Sequence, residues 1–171
     1  IDNHTVDGCG NATEYAYDNE NRITRITNAE GNSRTIRYNG AGAVEEVTDY
    51  DGHTMAWTYD RINKPASFRD KEGRITRMSY DTMWNMTEKV LPDGGTITYT
   101  YDLLQRLVEE TDQTGAVTRY GYDACGNRIS VTTPEGVTTH TEYDALDRPV
   151  AWTDGEGRTE RAAYDACGRI I

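Results

Sequence analysis

The sequence predicts an all-β fold made of eight 21-residue β-hairpin repeats. Tyrosine recurs at a constant spacing without an insertion or a deletion, and glycine recurs with the same period at a second position. The segments between these positions are short and rich in Thr, Ile, Val and Tyr, a composition that favours strands. No longer window carries the apolar stripe of a helix. We therefore expect 16 antiparallel strands in one continuous, coiling sheet, with each hairpin pairing with the next.

The repeat tyrosine is followed by aspartate in seven of the eight repeats, and by Asn39 after Tyr38 in the other. The seven tyrosine and aspartate pairs are Tyr17 and Asp18, Tyr59 and Asp60, Tyr80 and Asp81, Tyr101 and Asp102, Tyr122 and Asp123, Tyr143 and Asp144, and Tyr164 and Asp165. The glycine position holds Gly10, Gly31, Gly52, Gly73, Gly94, Gly115, Gly136 and Gly157. Eight such repeats account for nearly the whole chain, so we predict a single array over residues 1–171 without a separate catalytic domain.

Each repeat contains two turn signals about ten residues apart. The first turn begins at the residue after the tyrosine, and in six repeats its fourth residue is Gly, Asn or Asp. The second turn ends near the repeat glycine, and Asp or Asn stands three residues before that glycine in six repeats. Asp and Asn accept backbone N–H groups across a turn, and Gly or Asn tolerates the positive φ that closes it. The same turn chemistry is thus expected twice in every repeat.

The strand that ends at the tyrosine indicates which face of the sheet is apolar. Side chains alternate between the two faces of a strand. Two residues before the tyrosine stand Tyr15, Ile36, Trp57, Met78, Tyr99 and Tyr120, and then the smaller Thr141 and Ala162. The positions between are mostly polar or charged. One face is therefore predicted to be aromatic and the other to be exposed to solvent. On the aromatic face the tyrosines are expected to pack and to bond through their hydroxyls to the backbone.

Composition excludes several classes of function. The net charge of −11 argues against a nucleic acid or an anionic membrane as partner, because either would need a basic face. Three cysteines without a CxxC pair argue against a zinc site or a disulfide framework. No segment is long and apolar enough to insert in a membrane. The chain begins with Ile1 rather than methionine, and we expect it to be a segment of a longer protein.

The repeat resembles the Tyr-Asp (YD) repeats of RHS proteins. The carrier pattern Tyr-x-Tyr-Asp-x-x-Gly-Arg-hydrophobic is similar to residues 15–23 and 120–129 and to residues 164–170 at the end of the chain. In that family the hairpins form one long sheet that coils into a hollow shell. Bacterial members are polymorphic toxins, delivered by type VI secretion or built into toxin complexes, whose shell encloses a C-terminal toxin. Related repeats occur in teneurins, which are adhesion proteins of animal cell surfaces.

The resemblance implies a structural role: a segment of RHS shell that encloses and isolates a C-terminal toxin for delivery to competing or host cells. The partners it implies are the enclosed toxin polypeptide, the remaining shell repeats and secretion-spike proteins, with synthesis in the bacterial cytoplasm followed by secretion. RHS proteins release the toxin through a segment with Asp-Pro motifs, and this chain contains no Asp-Pro pair. We therefore expect no enzymatic activity, no catalytic residue and no cofactor.

The 29 acidic residues raise the alternative of a metal site or paired catalytic carboxylates. Of these, seven follow the repeat tyrosine, five open the second turn and six precede the repeat glycine, so 18 are explained as turn residues. Calcium remains an alternative, but we expect no metal. His4, His53 and His140 occupy three different positions of the repeat, which does not favour a ligand set or a triad.

Two further alternatives concern binding and architecture. Trp57 and Trp152 are candidates for contacting sugar rings, which would make the chain a carbohydrate-binding or cell-surface-binding module. They occupy different positions of the repeat, as does Trp84, whereas a binding ladder should recur with the repeat. The architectural rival is a four-bladed propeller with 42-residue blades. Odd and even repeats look alike, which favours the continuous sheet.

Overall fold

The structure is a computed structural model, and it describes residues 4–171. Residues 1–3 of the predicted array lie outside this part. Sixteen β-strands follow one another in chain order within a single sheet, and every neighbouring pair with a defined register is antiparallel. The predicted all-β class and the continuous hairpin sheet are confirmed, and the propeller alternative is wrong because the strands do not divide into separate blades.

The chain divides into two compact units built from the same hairpins. The first extends to Met78 and includes Val90–Asp93, and the second contains Ser79–Lys89 and Gly94–Ile171. The strands of the first half are β1 (His4–Val6), β2 (Ala12–Tyr17), β3 (Ile23–Thr27), β4 (Ser33–Tyr38), β5 (Val44–Thr48), β6 (Thr54–Tyr59), β7 (Pro65–Arg69) and β8 (Ile75–Tyr80). Those of the second half are β9 (Met86–Val90), β10 (Thr96–Tyr101), β11 (Leu107–Thr111), β12 (Val117–Tyr122), β13 (Arg128–Thr132), β14 (Thr138–Tyr143), β15 (Pro149–Thr153) and β16 (Thr159–Arg161).

Both turns of the repeat have the same backbone. In the first turn at residues 18–22, the Asp18 N–H donates to the Arg22 carbonyl and the Asn21 N–H donates to the Asp18 carbonyl. The second turn at 28–32 repeats these two bonds from Asn28 and Gly31. In every turn of the described chain the fourth residue has positive φ. Trp84 and Gln105 adopt it too, although neither side chain favours that conformation, because the flanking strands leave the turn no other way to close.

The register shifts immediately before the repeat tyrosine. Ala16 pairs with Arg25 while Tyr17 pairs with Ile23, so Thr24 is an extra residue without a partner in the ladder. The same bulge precedes Tyr38, Tyr59, Tyr101, Tyr122 and Tyr143. A bulge re-aims the neighbouring side chain and increases local twist. It therefore recurs at the residue whose side chain reaches the preceding repeat.

The sheet has little enclosed core. Among residues 4–171 the buried hydrophobic side chains are Val47 and Ala151. The apolar face is half-buried by neighbours in the same sheet, as where the rings of Trp57 and Phe68 lie 5.1 Å apart. The opposite face carries hydroxyl and ion pairs across adjacent strands, such as Thr132 with Thr138 at 2.9 Å. The described residues contain no helix able to cross a membrane.

Candidate functional site

The aspartate that opens a turn clamps the backbone of that turn. Asp18 Oδ1 accepts the N–H groups of Glu20 at 2.9 Å and Arg22 at 3.0 Å. The same pair of acceptor bonds recurs in both kinds of turn, at Asp7, Asn39, Asp49, Asp60, Asp70, Asp81, Asp102, Asp112, Asp144, Asp154 and Asp165. These carboxylates, and the amide oxygen of Asn39, therefore act first as acceptors for their own loops.

The hydrogen bonds also lower the pKa of turn carboxyls such as those of Asp102 and Asp112. For Asp102, the backbone N–H of Arg106 is the largest cause of the lowered pKa, and the Arg106 side chain adds to it. For Asp112 the hydroxyl of Thr114 is the largest cause of the lowered pKa. Donors that favour the ionised form keep these groups charged near neutral pH. A general acid needs the opposite shift, so this environment suits a structural role.

The repeat tyrosine connects its repeat to the preceding one. The hydroxyl of Tyr122 donates to the carbonyl of Leu107 at 2.8 Å, and Tyr101 donates to Met86 at 2.9 Å. The same bond, always to the equivalent carbonyl of the preceding repeat, is made by Tyr38, Tyr59, Tyr143 and Tyr164. The acceptor is the first residue of the strand that follows the preceding first turn. The hydroxyl ladder therefore ties neighbouring hairpins together beside their first turns.

An arginine at the fifth position of the first turn strengthens this connection. Asp102 Oδ2 accepts from Arg106 Nε at 2.8 Å, and the Arg106 guanidinium lies 4.8 Å from the ring centroid of Tyr122. Arg22 over Tyr38 at 4.6 Å and Arg148 over Tyr164 at 4.4 Å repeat the arrangement. Arg106 Nη1 also donates to the carbonyl of Asp123 at 2.9 Å. The aspartate thus holds an arginine that stacks on the next tyrosine, an arrangement that stabilises the array.

The predicted repeat residues hold equivalent places in the described chain. Each repeat tyrosine from Tyr17 to Tyr143 ends a strand, and Tyr164 forms an isolated bridge with Ile170. The repeat glycines from Gly10 to Gly157 all have positive φ at the fourth position of the second turn. The stacking role of Arg22, Arg106 and Arg148 was not assigned from sequence. The sequence signal for this role was the arginine that follows the turn glycine in the Tyr-x-Tyr-Asp-x-x-Gly-Arg motif.

The two candidate tryptophans differ in environment. Trp57 packs against Phe68 and is half-buried. Trp152 is 47% exposed, and its cross-strand partner Thr141 is small. Trp152 lies with Pro149, Ala162, Tyr164 and Ile170 around an open groove of about 250 Å³. Of these two side chains, only that of Trp152 lies where a ligand could reach the indole.

Three donor groups approach one another in the second turn at 49–53. One ligand atom from each of Asp49, Asp51 and His53 falls within 4.8 Å of the others. Asp49 Oδ1 already accepts the backbone N–H groups of Asp51 and His53. The turn itself explains why these groups meet, and nothing further in the described residues marks them as ligands.

Comparison with known proteins identifies the repeat. The RHS repeat family profile matches residues 101–138 and 143–171. No curated protein sequence is significantly similar to the chain. Among solved structures, the crystal structure of TcdB2–TccC3–Cdc42 superposes with a TM-score of 0.70 at 14% identity, covering 98% of this chain and 12% of that one.

Two related structures superpose similarly. TcdB2–TccC3 without its hypervariable C-terminal region gives a TM-score of 0.69, and the Photorhabdus luminescens Tc holotoxin pore with a TccC3 mutation gives 0.60. Both are 14% identical to this chain. Each match covers 98% of this chain and 12% of the other chain. At this identity the likeness concerns the fold. The family match over residues 101–138 and 143–171, taken with the 21-residue period and the hairpin sheet, supports an RHS-repeat (YD-repeat) protein.

Proposed function

We propose that the chain is a wall segment of an RHS shell that encloses a C-terminal toxin polypeptide and isolates it until delivery. The observation that carries this proposal is the way each repeat uses its polar groups. Turn carboxylates bind their own loops, and tyrosine hydroxyls and arginines bind the neighbouring repeat. A sheet with little enclosed core is stabilised by such bonds between neighbouring repeats. That is the construction a wall requires.

The structural likeness supports the same role. The matched TcdB2–TccC3 protein has a hypervariable C-terminal region, as the structure without it states. By analogy, the partners of this segment are a toxin polypeptide and further shell repeats, with secretion-spike proteins where type VI secretion delivers the toxin. Residues 1–171 are then one array without a catalytic domain. Synthesis would take place in the bacterial cytoplasm, followed by secretion into the medium or a target cell.

The test is limited proteolysis of the full-length parent protein, with intact-mass readout, before and after mild denaturation. Enclosure predicts that a C-terminal segment resists protease until the repeats open, and is then degraded. The same segment expressed alone serves as the control and should be digested at once. A segment that is cut immediately in the native parent, while the repeats survive, would refute enclosure.

A second candidate, carbohydrate or cell-surface binding, is favoured only by the exposure of Trp152. Saturable glycan binding should quench indole fluorescence and disappear in Trp152→Ala. Trp84→Ala is the matched control, because Trp84 is 45% exposed but lies in a first turn. Equal loss of binding in both variants, or no binding by the native chain, would exclude a sugar site at Trp152.

A further inference from the structure

The adjacent residues Glu109 and Glu110 of β11 lie on opposite faces of the sheet. On the polar face, Glu109 forms an ion pair with Arg119 at 3.0 Å. On the apolar face, Glu110 Oε2 accepts the Tyr120 hydroxyl at 3.5 Å, which is long for a hydrogen bond. No cationic side chain of residues 4–171 forms an ion pair with Glu110. Glu110 is therefore a half-buried carboxylate that lacks the cation its neighbour has.

The position that Glu110 occupies in the repeat is apolar in five of the eight repeats. These five residues are Ile26, Val47, Phe68, Val131 and Trp152, and the other two are Thr5 and Lys89. Val47 is only 5% exposed, so the position suits an apolar side chain. Lys89 lies two strands away from Glu110, or about 10 Å, which is beyond ion-pair distance. An unpaired charge at an apolar position lowers stability, and such departures from a local pattern are expected at functional sites.

Two tyrosines flank the carboxylate. Tyr99 pairs with Glu110 across β10 and β11, and Tyr120 lies diagonally opposite on β12, two residues after the cross-strand partner Thr118. Burial raises the pKa of Tyr99 and of Tyr120, and the charge of Glu110 raises it further. The guanidinium of Arg128 lies 5.6 Å from the centroid of the Tyr120 ring, so this ring is open to a cation. The carboxylate and both rings are half-buried, and part of each remains exposed to solvent.

Elsewhere the chain combines a carboxylate, an arginine and a tyrosine. Asp102 accepts from Arg106, and the guanidinium of Arg106 stacks on the ring of Tyr122. A guanidinium suits both partners, because it donates N–H groups to a carboxylate and stacks on an aromatic face. Glu110 and its two flanking tyrosines supply the carboxylate and the rings, but no arginine of the described chain binds the carboxylate. The missing component is a guanidinium group.

We propose that Glu110, Tyr99 and Tyr120 form a binding site for the guanidinium group of an arginine side chain on a partner polypeptide. The negative ring faces and the carboxylate attract the same cation. The partner therefore packs against the apolar face of the second unit and presents a basic side chain there. This site goes beyond the proposed shell function and does not depend on it.

The test is the binding of acetyl-arginine amide to the 171-residue chain, measured by NMR shifts of the Tyr99 and Tyr120 ring protons. The dissociation constant should be about 1 mM, since one ion contact and two ring contacts form a small site. Acetyl-citrulline amide has a similar shape without the charge, and it should bind about tenfold more weakly or less well still. Absence of binding, or equal binding of the two probes, would overturn the proposal.

Two variants of Glu110 locate the site. Glu110→Val introduces the residue that Val47 and Val131 provide at this position, so it should abolish binding while raising the melting temperature. Loss of binding then cannot result from unfolding. Glu110→Gln should weaken binding by about tenfold. The matched control is Glu109→Gln, which removes the same charge from the opposite face and should change binding by about twofold or less.

The two faces give distinguishable outcomes. Equal weakening by Glu110→Gln and Glu109→Gln would show that the probe responds only to the net charge of the chain, and would overturn the site. Unchanged binding in Glu110→Val would overturn it as well. None of these results depends on whether the parent protein encloses a toxin.

Discussion

The two turns of the repeat share one backbone conformation but differ in what their side chains do. Both are opened by a residue that accepts two N–H groups, and both close through a fourth residue with positive φ. Beside the first turn, Arg106 and Tyr122 connect neighbouring repeats. In the second turn at 112–116, the side-chain bonds of Asp112 remain within the loop. The geometry of each turn therefore depends on the residues of that turn, whereas the contacts of the tyrosine and arginine side chains with the neighbouring repeat lie beside the first turns.

The comparison is tested most strongly at the tyrosine. Tyr122→Ala removes a half-buried ring, its stacking contact with an arginine guanidinium and its hydrogen bond to the preceding repeat. It should lower the free energy of unfolding by about 2–3 kcal/mol. Tyr122→Phe should cost about 1 kcal/mol, because only the hydroxyl bond is lost. Urea denaturation with hydrogen exchange resolved by repeat measures both losses, since arrays of repeats need not unfold in one step.

Tyr50→Ala at a second-turn tip should change stability by about 0.5 kcal/mol or less. Equal losses at Tyr122 and Tyr50 would contradict the difference between the two sides.

A smaller effect is expected at the aspartates. Asp102→Ala frees the amides of its turn and releases Arg106 from its position over Tyr122, so hydrogen exchange should accelerate in its own hairpin and in the next. Asp112→Ala frees only its own loop, and exchange should accelerate there alone. Both variants remove one negative charge, so each controls for the other. If hydrogen exchange accelerated in only one hairpin in both variants, the arginine contact with the next tyrosine would not stabilise the neighbouring repeat.

Acid should weaken both turns for the same reason. The pKa of Asp102 and that of Asp112 lie below the ordinary value of 3.8, so the unfolded chain binds protons more readily. Their contribution is present above that pH and is lost as the pH falls through the folded values. Asp112→Asn keeps an acceptor oxygen but cannot titrate, so its melting temperature should fall less than that of the wild type between neutral and acidic buffer. An equally steep fall would argue against this linkage.

The smallest effects concern the fourth residue of each turn. Gln105→Gly should stabilise the chain by about 1 kcal/mol or less, because Gln105 has a φ of 63° that glycine adopts without strain. Gly115→Ala should destabilise it by about 1 kcal/mol, since a methyl group meets no neighbour and only the φ of 85° opposes it. Thermal melting of the two variants should therefore move in opposite directions. Shifts of the same sign would show that the turns are not equivalent.

Much of the fold followed from local patterns in the sequence. The recurrence of Tyr17 and Gly31 through the chain predicted the hairpins, because turn residues and strand composition act over a few neighbours. Departures from the pattern were harder to interpret. Trp84 and Gln105 lack the usual turn chemistry, yet both take positive φ because the paired strands on either side fix the chain path. The sequence by itself did not predict that outcome.

The sequence alone determined the period, the strand composition, the turn positions and the net charge, all of which arise within one repeat. The tertiary structure decided which side chains meet between repeats. Arg106 and Tyr122 lie on different hairpins, and only the register of those hairpins brings them together. It likewise decided that Trp57 packs on Phe68 while Trp152, paired with the small Thr141, remains exposed. Burial depends on the size of cross-strand neighbours, and those neighbours are known only once the strands have paired.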